Sequence, residues 1–187
     1  MAQKKPGVKA GGIDTSTALS INPEHSRRID FVSHEYFMSQ ALHEARKAFD
    51  ADEVPIGAVV VHQGQIIARA HNQVETLKDP TAHAEMIVLT QAASALSQKW
   101  LYDCSLYVTL EPCSMCAGAL VLARIKNIFF GAADPKAGAC GSVLNVAYHK
   151  KLNHRMNVYR GVLEKECAGL VTDFFKGKRE LKKNDIK

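Results

Sequence analysis

Two short stretches of this 187-residue chain carry side chains able to do metal chemistry: His83-Ala84-Glu85 and Pro112-Cys113-Ser114-Met115-Cys116. Each opens a segment that reads as a helix. Cys113 and Cys116, three residues apart, share one face of a first turn, so both sulfurs can reach a single ion, and Pro112 suits the first helical position. Unpaired N–H groups and the positive end of the helix dipole favour thiolate there, which is the zinc-binding form. His83 supplies a neutral nitrogen from the neighbouring helix start. Three protein ligands leave the fourth position of a tetrahedral Zn2+ open to water, as in catalytic rather than structural sites. Glu85, two residues from His83, is then placed to carry a proton as general acid/base without being a ligand.

Other readings of the same residues compete with this one. A closed structural zinc site would need a fourth ligand from Cys104, Cys140, Cys167 or another histidine. Closed sites usually pair two short ligand motifs, whereas the partner motif here offers one histidine and an acid. A redox Cys-x-x-Cys leaves His83 and Glu85 without roles. Cys104, Cys140 and Cys167 read most simply as small buried apolar residues.

The elements that must position these groups follow from periodicity. Apolar residues Phe37, Ala41, Ala45, Ala48 and Phe49 recur at helical spacing after Ser33, a good cap. Residues 56–62 and 65–70 are β-branched runs joined by Gln63-Gly64, a hairpin signal. Residues 81–96 read as a helix, 106–110 as a strand, 113–123 as a helix and 127–131 as a buried strand. Residues 158–162 suggest a last strand and 164–183 a long helix. This order predicts an α/β fold of three layers, α/β/α, around a mixed sheet of about five strands, parallel in part after the opening hairpin.

Composition bounds the rest. With 47% hydrophobic and 23% charged residues, the chain has the balance of a globular protein with one sizeable core. No apolar run reaches the roughly 20 residues needed to span a bilayer, and no compact secretory segment opens the chain, so a cytoplasmic location is expected. The formal charge of +5 lies at the ends: residues 1–30 hold five Lys/Arg against three Asp/Glu, residues 173–187 hold six against three, and the remainder has thirteen of each. Such ends are solvated tails or contacts to a polyanion such as nucleic acid. Residues 1–30 read as a disordered extension, with an organellar transit peptide as the weaker alternative. Residues 31–187 form the single domain, ending in a basic helix.

His-x-Glu followed by Pro-Cys-x-x-Cys is the signature of zinc nucleobase deaminases. Over residues 34–183 the chain resembles the bacterial tRNA adenosine deaminases, in Glu53-Val-Pro-Ile-Gly-Ala58, Asp79-Pro-Thr-Ala-His-Ala-Glu85, Tyr107-Val-Thr-Leu-Glu-Pro-Cys-Ser-Met-Cys-Ala-Gly-Ala119, Gly131-Ala-Ala-Asp-Pro-Lys-Ala-Gly-Ala-Cys-Gly-Ser142 and Asp173-Phe-Phe175. The resemblance implies a cytidine-deaminase-like fold with one zinc per chain. It also implies conversion of adenosine to inosine at the wobble position of a tRNA anticodon by a homodimer. By likeness Asn72 holds the flipped base or its ribose, and Asp134 lies on a loop facing the RNA. Without the resemblance, Asn72 would be a turn residue ending the hairpin and Asp134 part of an Asp-Pro turn. His149, Asn153 and Arg155 follow as RNA contacts, in a cluster with Lys150 and Lys151 that also fits a solvated loop. A deaminase of free guanine or cytosine on the same zinc site is the alternative, argued against by the basic C-terminal helix. A non-catalytic zinc protein is argued against by the intact Glu85.

Overall fold

The computed structural model describes residues 23–184, with side chains from residue 34. Helix α1 (Pro23–Asp50) leads into the hairpin β1 (Gly57–His62) and β2 (Gln65–His71), followed by α2 (Val74–Leu77) and α3 (Ala84–Leu96). Then β3 (Cys104–Leu110), α4 (Ser114–Leu122), β4 (Asn127–Ala132), β5 (Asn157–Arg160) and α5 (Glu164–Asn184) complete the chain. The five strands form one sheet in the order β2-β1-β3-β4-β5, with β1 antiparallel to both neighbours and the β3, β4 and β5 ladders parallel. β2, β3, β4 and β5 therefore point one way and β1 the other.

Strand periodicity divides the core into two layers. Val60, Leu106, Val108, Ile128 and Phe130 pack with Val88 and Leu89 of α3 and Leu120 of α4. Their alternates Val59, Val61, Tyr107 and Phe129 pack with Phe37, Met38, Ala41 and Leu42 of α1 and Cys167 of α5. This is the expected α/β/α sandwich. Gln63 and Gly64, with φ of 50° and 76°, make the hairpin turn read from the sequence. No described helix is long and apolar enough to cross a membrane.

Several boundaries differ from the sequence reading. α1 begins at Pro23, ahead of Ser33, with proline in its first turn followed by an acid at Glu24. Residues 1–22, most of the expected extension, lie outside the described residues. α3 starts at Ala84 rather than at 81 because an Asp79 turn, with Thr81 N–H donating to Asp79 Oδ1 at 2.8 Å, precedes it. Cys113 is the N-cap of α4, so Pro112 stands just before the helix instead of in its first turn. β5 covers 157–160, and the short α2 has no counterpart in the periodicity of the sequence.

One glycine sets the distance between α1 and the sheet. A Cβ at Gly57 would lie 2.1 Å from the carbonyl oxygen of Ala41 and 2.3 Å from the amide nitrogen of Ala45. Both neighbours are backbone, so no rotamer change relieves the clash. Gly57→Ala is expected to cost about 3 kcal/mol or more, the upper end for overpacking. A urea titration reads this, and a loss below about 1 kcal/mol would mean that α1 shifts freely on β1.

Candidate active site

Because β2, β3 and β4 share a direction, their C-terminal ends open on one edge of the sheet, where α/β proteins bind ligands. Asn72 follows β2, the cysteine turn follows β3, and Asp134 follows β4. Glu53 precedes β1 on the same edge, since β1 runs the opposite way.

His83 and Cys113 are the N-caps of α3 and α4, both in extended conformation and neither using its side chain as a cap. Their side chains therefore project beyond the helix starts toward one point. His83 Nδ1 lies 3.5 Å from Cys116 Sγ and 3.8 Å from Cys113 Sγ, and all three donor atoms fall within 4.8 Å of one another. Tetrahedral angles with Zn–S of about 2.3 Å and Zn–N of about 2.0 Å require N···S separations of about 3.5 Å. The trio fits a zinc ion with one position left for water, whose activation is the chemistry that zinc would supply. All five cysteines are free thiols, and among the described residues Cys104, Cys140 and Cys167 do not join the trio.

Without metal the trio behaves as a proton-sharing set. Hydrogen bonds from Cys116 and His83 pull the Cys113 thiol down to about 3, while the same bond to Cys113, with burial, pushes the Cys116 thiol far up. The contact with Cys113 also raises His83.

Glu85, two residues on from His83 in the first turn of α3, is 3% exposed, and its Oε2 has no hydrogen-bond partner among the described residues. Burial pushes its carboxyl above the usual carboxylate range. A buried carboxyl oxygen without a partner is costly to the fold, and its place beside the trio suits a group that takes up and returns a proton.

A cleft of about 640 Å³ opens over His83 and is lined by Glu53, Asn72, Ala132, Asp134 and Phe175 among others. Asn72, expected from the resemblance to hold the substrate, stands in the cleft wall and is 3% exposed. Asp134 also lines the cleft, but its Oδ1 accepts from the amides of Lys136 and Ala137 at 2.8 and 3.2 Å, as in an Asp-Pro turn. His149, Asn153 and Arg155 are exposed on residues 149–155 and are not among the cleft-lining residues. His149 Nδ1 accepts from the Lys151 amide, and Arg155 lies over the Tyr148 ring.

Two carboxylates escape a reading of the sequence. Glu111, 2% exposed, accepts from the amides of Cys140, Ser142 and Asp134 and from the Ser142 hydroxyl. It thereby wraps residues 134–142 around the start of the cysteine turn, where the Ala139 amide donates to the Pro112 carbonyl at 2.9 Å. Glu53 accepts from the Thr76 amide and from Asn72. Only their place inside the quoted motifs could have signalled either one.

The family model of the MafB19-like deaminases matches residues 32–179. The tRNA-specific adenosine deaminase of Bacillus subtilis is 50% identical over 149 residues, 80% of this chain and 92% of that protein. The chain belongs to the tRNA-specific adenosine deaminases, within the MafB19-like deaminase family. A structure solved in a study of A-to-I editing by tRNA:A34 deaminases matches with a TM-score of 0.70 at 48% identity, over 72% of this chain and 98% of that one. The guanine deaminase structure from Bacillus subtilis matches with a TM-score of 0.53 at 42% identity, over 58% of this chain and 69% of that one. These likenesses agree with the fold and deaminase chemistry read from the sequence.

Proposed function

We propose that the chain hydrolyses adenosine to inosine at the wobble position of a tRNA anticodon, releasing ammonia, with one Zn2+ held by His83, Cys113 and Cys116. The observation that carries this reading is the partnerless buried Glu85 Oε2 beside the ligand trio, whose His83 faces the same cleft as Asn72. Glu85 carries one water proton to the purine ring nitrogen, where inosine keeps it, and the water's second proton to the departing amine, which leaves as ammonia. The catalytic domain is residues 31–187, acting as a cytoplasmic homodimer, with residues 1–30 an extension to it. Asp134, in the cleft wall, and His149, Asn153 and Arg155, exposed on residues 149–155, contact the RNA.

The decisive experiment incubates the zinc-loaded protein with an anticodon stem-loop, free adenine, free guanine and free cytosine, and reads ammonia and inosine. Inosine in the stem-loop alone is expected. Turnover of free guanine with an inert stem-loop would establish the second reading, which the likeness to the guanine deaminase favours. Because the base must leave its stack, the same adenosine in a duplex should react far more slowly than in the loop. Equal rates would overturn base flipping.

A groove lined by Lys78, Phe175, Lys178, Arg179 and Lys182 shares Val54, Glu75 and Phe175 with the cleft, so RNA leaving the cleft meets these charges. Replacing Arg179 and Lys182 by Gln is expected to weaken stem-loop binding. The slope of log affinity against log salt should flatten by about 0.7 for each phosphate left without its cationic partner. Titration at several salt concentrations checks it, and an unchanged slope would mean that α5 is a solvated end.

A further inference from the structure

An adenosine within an RNA chain has few hydrogen-bond donors. The N–H donors of its base lie on the exocyclic amine, which must face the His83, Cys113 and Cys116 trio to be replaced. Its 3′ oxygen is esterified, so the 2′-hydroxyl is the donor left for the cleft wall. A wall that reads this hydroxyl needs an acceptor.

Asn72 lines the cleft, and its Nδ2 donates to Glu53 Oε2 at 3.3 Å. The other oxygen of Glu53, Oε1, accepts from the Thr76 amide at 2.7 Å. Glu53 is 1% exposed, so neither oxygen exchanges this partner for bulk water. Burial raises its carboxyl, but the amides of Thr76 and Glu75, helped by the Thr76 and Asn72 side chains, outweigh that and hold it below the usual range. An ionised carboxylate accepts and never donates. The Asn72 amide must therefore turn its nitrogen to Glu53. Among the described residues no donor meets its Oδ1.

We propose that Glu53 is a positioning residue that locks the Asn72 amide with Oδ1 toward the cleft, as the acceptor for the 2′-hydroxyl of the target nucleotide. This rests on the adenosine reading and deepens it, because it assigns Asn72 to the sugar and makes ribose a condition of recognition. Glu53 acts only through Asn72 and touches no reacting atom.

The polarity of the pair can be inverted and restored. In Glu53→Gln the side-chain oxygen stays on the Thr76 amide and the new amino group faces Asn72, which turns its own oxygen inward and presents a donor to the cleft. In Asn72→Asp two carboxylates confront each other. In the double variant the Gln amino group donates to one Asp oxygen and the other oxygen faces the cleft, so the acceptor returns.

The test measures kcat and KM on anticodon stem-loops with adenosine or 2′-deoxyadenosine at the target position, after each variant is shown to retain zinc and its melting temperature. E53Q is expected to raise KM about tenfold on the ribose substrate, the worth of one buried hydrogen bond, with kcat little changed. On the deoxy substrate E53Q and wild type should be equal. N72D should be the worst of the set, and E53Q/N72D should recover most of the loss. A double variant no better than E53Q, or an equal loss on both sugars, would overturn the inference while leaving adenosine deamination standing. A wild type inert on the ribose stem-loop would overturn the adenosine reading itself.

Discussion

Glu85→Gln is expected to keep its zinc and its fold while turnover on the anticodon stem-loop falls by about 10³-fold or more, within or beyond the span that a positioned proton carrier contributes. Gln is nearly isosteric, so the packing around this buried side chain is conserved, and the ligand trio is untouched. The amide cannot take up a proton. Stability moves the other way. Burial raises the folded-state pKa of Glu85, so in the metal-free protein its charge opposes folding as pH climbs above the unfolded value. The neutral amide removes that opposition, and metal-free E85Q should melt no lower than metal-free wild type at neutral pH. Elemental analysis, calorimetry and single-turnover inosine formation check the three parts separately. Turnover within a few-fold of wild type would remove Glu85 from the chemistry.

The features legible in the sequence were those written locally. His-x-Glu and Cys-x-x-Cys each fit within one helical turn, so spacing alone placed their side chains, and the apolar and β-branched runs marked the hairpin. The assignment of Val59 and Tyr107 to one face and of Val60 and Val108 to the other came only with the fold, since an unbroken apolar run carries no alternation. What stayed hidden depends on interactions between distant segments. Glu111 accepts from amides at 134, 140 and 142, and Glu53 from residues 72 and 76. Nothing in the periodicity of either segment announces such a partner. The cleft wall supplied by Ala168, Val171 and Phe175 of α5 arises only when that helix folds back over β4, against Gly131. Gly131 lets the two approach, since a Cβ there would lie 2.3 Å from Cys167 Sγ. The start of α1 differs for a related reason, because a capping residue such as Ser33 does not end a helix that already runs through it.

Cys116→Ala is expected to abolish metal binding, with well under one zinc per chain after dialysis, and with it all detectable deamination. Cys116 is fully buried on the first turn of α4, so no side chain from solvent can swing in to replace it. Among the described residues no other His, Cys, Asp or Glu belongs to the ligand cluster. Removing one of three protein ligands leaves two donors, too few for a tight tetrahedral site. Any metal the folded protein binds more tightly than the unfolded chain contributes to stability by mass action, so the variant should melt below zinc-loaded wild type. Alanine also leaves a small void, and this separates two causes of destabilisation. If loss of the metal dominates, C116A should melt near wild type treated with a chelator, and added zinc should raise only the wild type. If the void dominates, C116A should melt well below chelated wild type. A variant that retains a full zinc complement would show that His83 and Cys113 bind the ion with a ligand from elsewhere, and an open catalytic site built on this trio would have to be redrawn.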